Sequence, residues 1–497
     1  MRQEQISTRR TQLSATKLSL LAKRLQGKPS TGAHPDQSQI RRAPHDSKLP
    51  LTQIQEDRLL YEQRVRETTG RDVSNHLSKC FWLRGRFDEH ALAQSLESLS
   101  QRHDILRTRF LSINGRLTQV ITDSPVIPLS VVDLRHISGA EREQAVMERV
   151  GRREHEPFDT KREVLWRVVL FRLGEEEYLL LLTMHHVISD IWSMEFMVRD
   201  LLVFYRACST GTAALLPALP IQFADFAHWQ RSLQEGATAT RQLSYWLEQL
   251  KGMGPLPDVH FRNMRPVSGT MSDKGTARGI VLSSELVEPL RELGRREGCT
   301  LYMVILAAVK ILLHHCSGQE DIGVRSPVSG RSRPETEGMI GWLANLLVLR
   351  TDFQGVADFA DALRRVRKVV LEAYEHQDIP FVMLVEVFNH SSKWNDDTPR
   401  VVFNMTQKRD DQKQTPQVEG LKILSLAVPR PEAAANNGLA IQVVETEREL
   451  DISITYRAEA FEAATVTAML SGLRAILESA VADPHLKFPE LLSALPT

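Results

Sequence analysis

The chain has 497 residues, enough for two or three cores of ordinary size. A hydrophobic share of 42% and a charged share of 25% describe a water-soluble globular protein, and 62 basic against 62 acidic side chains leave no global field for nucleic acid or an anionic membrane. No apolar run approaches the ~18 residues of a membrane span, the N-terminus MRQEQISTRR lacks a signal-peptide core, and the four cysteines (Cys80, Cys208, Cys299, Cys316) show no paired spacing, which predicts a reduced, cytoplasmic protein.

Residues 1–48 carry ten Lys/Arg against three Asp/Glu and turn rich in Ser, Pro, Gly and His from Pro29 to Asp46. Within them Ser14 to Gln26 reads as a short helix: Ser14 caps it, Leu18, Leu21, Ala22 and Leu25 share a face, and Gly27 with Pro29 stops it. Two readings fit this segment, a disordered tail with a nascent helix or a docking element for another protein.

The folded part is expected from Leu49. A helix follows Asp88, its predicted N-cap, with Phe87 and Leu92 as a hydrophobic staple and Leu92, Leu96 and Leu99 on one face. It leads into Arg102-His103-Asp104-Ile105-Leu106-Arg107, where Arg102 and Arg107 are expected in buried ion pairs and His103 is given no chemistry. Leu165–Leu173 and Tyr178–Met184, joined at Gly174, predict a hairpin. Its second strand is a continuous apolar run ending in His185 and His186, with Asp190 four residues on. Neighbouring strand side chains point to opposite faces, so the two imidazoles must do different jobs. A strand-end histidine near a carboxylate suits a general base. A zinc site is poorly supported, since no Cys, Glu or third His completes a ligand set at normal spacing.

Ser193–Ala207 reads as a helix, and Pro217 and Pro220 mark the expected boundary between residues 49–218 and 219–497. Further on, Tyr302–His315 is a strongly apolar helix ending near Gly318. Its His314-His315 pair is a decoy, with no Asp at the right distance and a place in the last helical turn, where cations are simply favourable. Lys408–Gln417 reads as a polar surface loop.

The string His185-His186-x-x-x-Asp190 with Trp192-Ser193-Met194 resembles the signature of the condensation domains of nonribosomal peptide synthetases, a superfamily sharing the fold of chloramphenicol acetyltransferase. Several other blocks resemble family motifs in family order. These are Leu51–Glu56 loosely, Arg102–Phe110, Leu219–Trp229, Pro327–Pro334, Ile340–Arg350 and His376–Phe381, with Pro399 and Phe403-Asn404 as a trace of the last. In the opening block the expected arginine is displaced to Asp57-Arg58 and the expected Trp is Leu59. LSATKLSLLAKRL looks like the linker that often precedes such domains; at the start of this chain it suggests a free-standing protein.

The resemblance implies an α/β fold of two chloramphenicol-acetyltransferase-like lobes in a V with a central tunnel. It further implies an enzyme joining a carrier-protein thioester to an amine or hydroxyl acceptor, forming an amide or ester bond in natural-product biosynthesis. The enzyme would need no cofactor of its own, because acyl or peptidyl carrier proteins present the substrates on phosphopantetheine; a small-molecule amine or alcohol can be the acceptor instead. His186 resembles the catalytic histidine, which takes a proton from the nucleophile or holds it and stabilises its developing charge. His185 packs inward as its partner, and Asp190 pairs with a buried arginine, for which Arg331 is the candidate. Arg102, Arg107 and Asn345 support the site. Ser189–Met194 looks more like members taking an L-configured donor, and heterocyclisation is disfavoured because those relatives replace the histidines with aspartate. Ile191 stands where the family carries Gly, and a turn adapted to negative φ is expected there. The alternative reading is a catalytically silent domain that recruits partner proteins.

Overall fold

A computed structural model describes residues 39–44, 49–70, 72, 76–124, 127–137, 141–233, 237–253, 275–389, 400–408, 418–426, 438–493 and 495. The expected helix at Ser14–Gln26, Pro399 and most of the Lys408–Gln417 loop lie outside these residues. The packed part begins ahead of Leu49: Ile40 and Ala43 are buried, and the Ala43 N–H donates to Asp225 Oδ1 at 2.8 Å.

In chain order the first half gives α1 (Gln53–Thr69), β1 (His76–Gly85), α2 (Glu89–Arg102), β2 (Thr108–Ile113), β3 (Arg116–Ile121), β4 (Leu129–Asp133), α3 (Glu141–Glu154), β5 (Trp166–Arg172), β6 (Glu177–His185), α4 (Ile191–Thr210), α5 (Phe223–Leu233) and α6 (Ala237–Gln249). The second half gives β7 (Thr276–Leu282), α7 (Ser284–Arg296), α8 (Leu301–Ser317), β8 (Asp321–Val328), β9 (Asn345–Asp352), α9 (Phe359–Glu375), α10 (Phe381–Asn389), β10 (Arg400–Gln407), β11 (Leu421–Leu426), β12 (Gly438–Glu445), β13 (Leu450–Tyr456), α11 (Ala463–Ala482) and α12 (Phe488–Ser493). The fold is mixed α/β. One sheet runs β11-β1-β6-β5-β4, a second β7-β13-β12-β10-β8-β9, and β2-β3 form a separate ribbon.

The hairpin read from the sequence is present, β5 antiparallel to β6. β6 lies inside its sheet between β1 and β5, and both its faces are covered. Leu180, Leu182 and Met184 join one core, Leu179 and Leu181 another, which is why this strand reads as a continuous apolar run rather than an alternating one. Asp88 caps α2 through the backbone N–H groups of His90 and Ala91. α8 ends at Gly318 in a left-handed cap, as its sequence suggests. His314, from the decoy pair, stacks on Phe353 and bonds the Gln319 carbonyl.

Two features add to the sequence reading. One core takes in Ile221, Phe223, Phe226, Trp229 and Leu233 together with Met339, Ile340, Leu343, Val418 and Leu421, while the other begins at Ala239. Also, α11 is long and apolar enough to cross a bilayer by length and composition, the one such single helix among those described. Its Val466, Leu470, Leu473, Ile476 and Leu477 are instead packed in the second core.

Candidate active site

β6 ends by delivering His185 inward, and His186 opens a single 3-10 turn, His186–Ile188, ahead of α4. His185 is buried. Its Nδ1 accepts the Val187 N–H at 3.1 Å, and its Nε2 lies 3.4 Å from Glu62 Oε2 on α1. His186 is part-exposed, and its ring sits 4.2 Å from that of Trp342, tilted by 38°. Its Nδ1 is buried without a hydrogen bond. Burial holds its pKa below the ordinary histidine value against the opposing pull of nearby Asp190, so the neutral, proton-accepting form prevails at neutral pH.

Asp190 is the N-cap of α4. Its Oδ1 accepts from Ser193 N and Ser193 Oγ, each at 2.8 Å, and from Arg331 Nη2 at 3.0 Å. Its Oδ2 accepts from Arg331 Nη1 at 2.8 Å and from the N–H groups of Leu343 and Ala344 at 3.1 Å. The side chains of Asp190 and Arg331 are 2% and 7% exposed. The carboxylate therefore ties the histidine turn to two segments of the second half through a bidentate guanidinium pair and backbone donors. Close approach shapes this knot as well. Gly330 has φ 66°, and a Cβ there would lie 1.9 Å from the Leu343 carbonyl oxygen, so only glycine fits beside Arg331.

Arg102, the last residue of α2, meets α4 at Asp200, further along that helix from the histidine turn. Its Nε donates to Asp200 Oδ2 at 2.9 Å, and the same carboxylate takes His103 Nε2 at 3.0 Å and Arg199 Nε at 2.7 Å. Arg107 pairs locally with Asp104 and bonds the Ser100 carbonyl at 2.9 Å, bracing the turn after α2 rather than reaching the histidines. Asn345 bonds the carbonyls of Gln377 and Ile379 at 2.9 and 2.7 Å and accepts the Phe381 N–H at 3.0 Å. It thereby joins β9 to the His376–Phe381 block. Trp229, Arg333, Trp342, Asn345, Asp378 and Pro380, drawn from separate motif blocks, line one small cavity of about 30 Å³. A larger cavity of about 590 Å³ reaches His185, not His186, and is walled by α1, the β2-β3 ribbon and residues 157–161. Among the described residues no group of three His, Cys, Asp or Glu is placed to hold a metal ion.

Ile191 is the first residue of α4, and Asn114 is the one non-glycine at positive φ among the described residues, so the turn has adapted to the side chain as expected. The Ile191 side chain is 44% exposed. Ile191→Gly is expected to lower stability by about 0.5–1 kcal/mol, the cost of glycine's extra unfolded freedom, with no relief of strain to offset it. A raised melting temperature in that variant would contradict the geometry. Sequence reasoning gave no role to Glu62, Trp342 or Ser193. A capping box, Thr52 with Gln55, marks where α1 starts, and both of its hydrogen bonds are present, but no local signal places that helix beside the histidines.

Burial also sets an acid limit on the fold. His76 is pushed down to about 4 by burial, opposed by its bond to the Glu154 carbonyl, and buried His103 is likewise lowered against the pull of Asp200. Each takes a proton more readily when unfolded, so stability is complete above about pH 6.5 and falls as pH drops below it, by at most about 3 kcal/mol for His76 once pH 4 is reached. Thermal melts from about pH 7.5 downward should show that fall, and His76→Asn should flatten it; equal slopes in both proteins would refute the assignment.

The family model of the condensation domain matches residues 45–496. The chain is 33% identical over 494 residues to the phosphinothricin tripeptide synthetase PhsC of Streptomyces viridochromogenes, an alignment covering 99% of this chain and 44% of that protein. It is 34% identical over 442 residues to one of the linear gramicidin synthase proteins of Brevibacillus parabrevis, covering 89% of this chain but 6% of that much longer one. Among solved structures, the X-domain of teicoplanin biosynthesis, in complex with OxyB, superposes with a TM-score of 0.79 at 25% identity, covering 95% of this chain and 99% of that one. SgcC5 of Streptomyces globisporus superposes with a TM-score of 0.70 at 26% identity, covering 88% and 100%. The match over nearly the whole chain and these superpositions define a condensation-domain fold, a family whose members are in general acyltransferase-type enzymes. This chain belongs to the condensation domain family.

Proposed function

We propose that the protein condenses a carrier-protein-bound acyl or peptidyl thioester with an amine or hydroxyl acceptor. The observation that carries this reading is His186, a part-exposed imidazole kept neutral by burial, on a turn that the Asp190–Arg331 pair and α4 hold in place. The acceptor's nitrogen or oxygen attacks the thioester carbonyl, and His186 takes its proton or holds it in position. A C–N or C–O bond forms, the C–S bond breaks, and the phosphopantetheine sulfur leaves and is protonated to the thiol. The thioester is already activated, so orientation supplies much of the rate. His185 serves as a buried support, and Asp190, Arg331, Arg102, Arg107 and Asn345 hold the frame. The working partners are acyl or peptidyl carrier proteins, with a small amine or alcohol as a second kind of acceptor, and the site of action is the cytoplasm. Intact-mass measurement of loaded carrier proteins, with and without this protein and an acceptor, tests the reading. Acyl transfer dependent on the protein supports it, and none across matched carriers overturns it.

The similarity to an X-domain that forms a complex with OxyB favours a second reading, recruitment of a partner protein without chemistry, as does Ile191 directly after Asp190. Binding of a partner unaffected by His186→Ala, with no transfer by the unsubstituted protein, would select it.

A further inference from the structure

The larger cavity shows a histidine–carboxylate contact that superficially looks like a second base: His185 with Glu62, the latter held by Arg58 Nε at 2.6 Å. The hydrogen bonds rule that out. Nδ1 of His185 accepts the Val187 N–H, so it carries no proton, and neutral His185 must bear its hydrogen on Nε2, facing Glu62. Nδ1 is occupied by the Val187 N–H, and Nε2 faces the Glu62 carboxylate at 3.4 Å, a charge contact that orients the ring. What the pair does hold is the backbone on either side of His186. Val187 is fixed twice, its N–H by His185 and its C=O by Gln55 Nε2 at 2.8 Å. Ser189 closes the same turn, its Oγ donating to the His185 carbonyl at 3.0 Å and its N–H to the His186 carbonyl at 3.2 Å. The edges of His76 and Phe158 pack on the His185 ring, with centroids 5.9 and 6.0 Å away, and leave the Nε2 corner for Glu62 to set. α1 therefore reaches the turn at two points two helical turns apart, Gln55 and Glu62.

We infer that Glu62 is a positioning residue: through the Nε2–H of His185 it fixes that ring so that Nδ1 grips Val187, and so it aims His186. The inference rests on the proposed acyl transfer for its kinetic test, but not for its spectroscopic one. Glu62→Leu should lower kcat about tenfold to hundredfold with KM changed less than about twofold, as expected when a catalytic group is misaimed and substrate binding is left intact. Glu62→Gln, whose amide oxygen still accepts from Nε2–H, should recover most of that loss. In His185→Asn, whose Oδ1 can replace Nδ1 as the acceptor for Val187, removal of Glu62 should add little, since the two act as one unit.

In full-length protein labelled with ¹⁵N-histidine, wild type should show His185 as the Nε2–H tautomer, and Glu62→Leu should shift the ring signals of His186, identified by their absence in His186→Ala. Unchanged His186 signals in Glu62→Leu overturn the inference, whatever the kinetics. Shifted signals with no transfer by any form of the protein would leave positioning standing and remove the proposed activity instead. If Glu62→Leu does not fold, Glu62→Ala decides by the same signals: a shift of the His186 signals in the wild-type background but none in the His185→Asn background supports it, and no shift, or equal shifts in both backgrounds, overturns it.

Discussion

Replacing His186 with alanine is expected to slow acyl transfer about 10²- to 10⁴-fold, the range associated with loss of a positioned proton acceptor. The fold should survive. His186 is only partly buried, its Nδ1 makes no hydrogen bond, and its ring packs against that of Trp342. Truncation thus removes one aromatic pairing of about 0.5–1.5 kcal/mol and leaves no polar group newly stranded. The pH profile of the intact enzyme carries the same information: with the pKa lowered by burial, the ascending limb should lie below about pH 6.5, the ordinary histidine value. Single-turnover rates with a loaded carrier protein measure both. A rate within a few-fold of wild type in the alanine variant would end the catalytic assignment and favour the recruiting one.

Asp190→Ala is expected to be the most destabilising change at the site, lowering unfolding free energy by about 3–5 kcal/mol. It strands Arg331, 7% exposed, and the N–H groups of Leu343 and Ala344, and it uncaps α4 at the Ser193 N–H. The cap alone contributes about 1 kcal/mol. Arg331→Lys should recover little of what Arg331→Ala loses, because an ammonium cannot repeat the two-pronged grip on both carboxylate oxygens. Urea titration should show the midpoint shift at constant slope. An unchanged midpoint in Asp190→Ala would mean that the knot contributes nothing to stability.

What could be read from the amino-acid order was whatever is written locally or enforced by chemistry. The β5-β6 hairpin, the Asp88 cap and the glycine stop at Gly318 follow from propensities within a few residues. Arg331 could be matched to Asp190 across the chain because the family resemblance implies a buried arginine partner for Asp190 and a planar guanidinium suits a two-pronged grip. The Ile191 turn was legible once the resemblance placed Ile where the family carries Gly, since a β-branched residue resists positive φ. Other features depend on which distant elements meet. No local signal tells that the first core runs on to Leu233, because Phe223, Phe226 and Trp229 would suit either core. Glu62 looks like any acidic residue on an exposed helix until β6 is placed beside α1. The apolar stretch of α11 separates from a membrane span only once α7, α8 and β7 are seen packed against it.

The strand β11 carries a practical consequence. It belongs by sequence to the second half, yet it pairs antiparallel with β1, from Cys80 against Leu426 to Gly85 against Leu421. Expressed alone, residues up to Leu233 would present β1 as a bare sheet edge with a row of unsatisfied amides, an open invitation to aggregate. Chimaeras between relatives spliced at the junction of the cores would likewise mate one parent's β1 with the other's β11. Grafting β11 together with the first half, as a two-segment exchange, is the design that keeps each sheet's strands from a single parent.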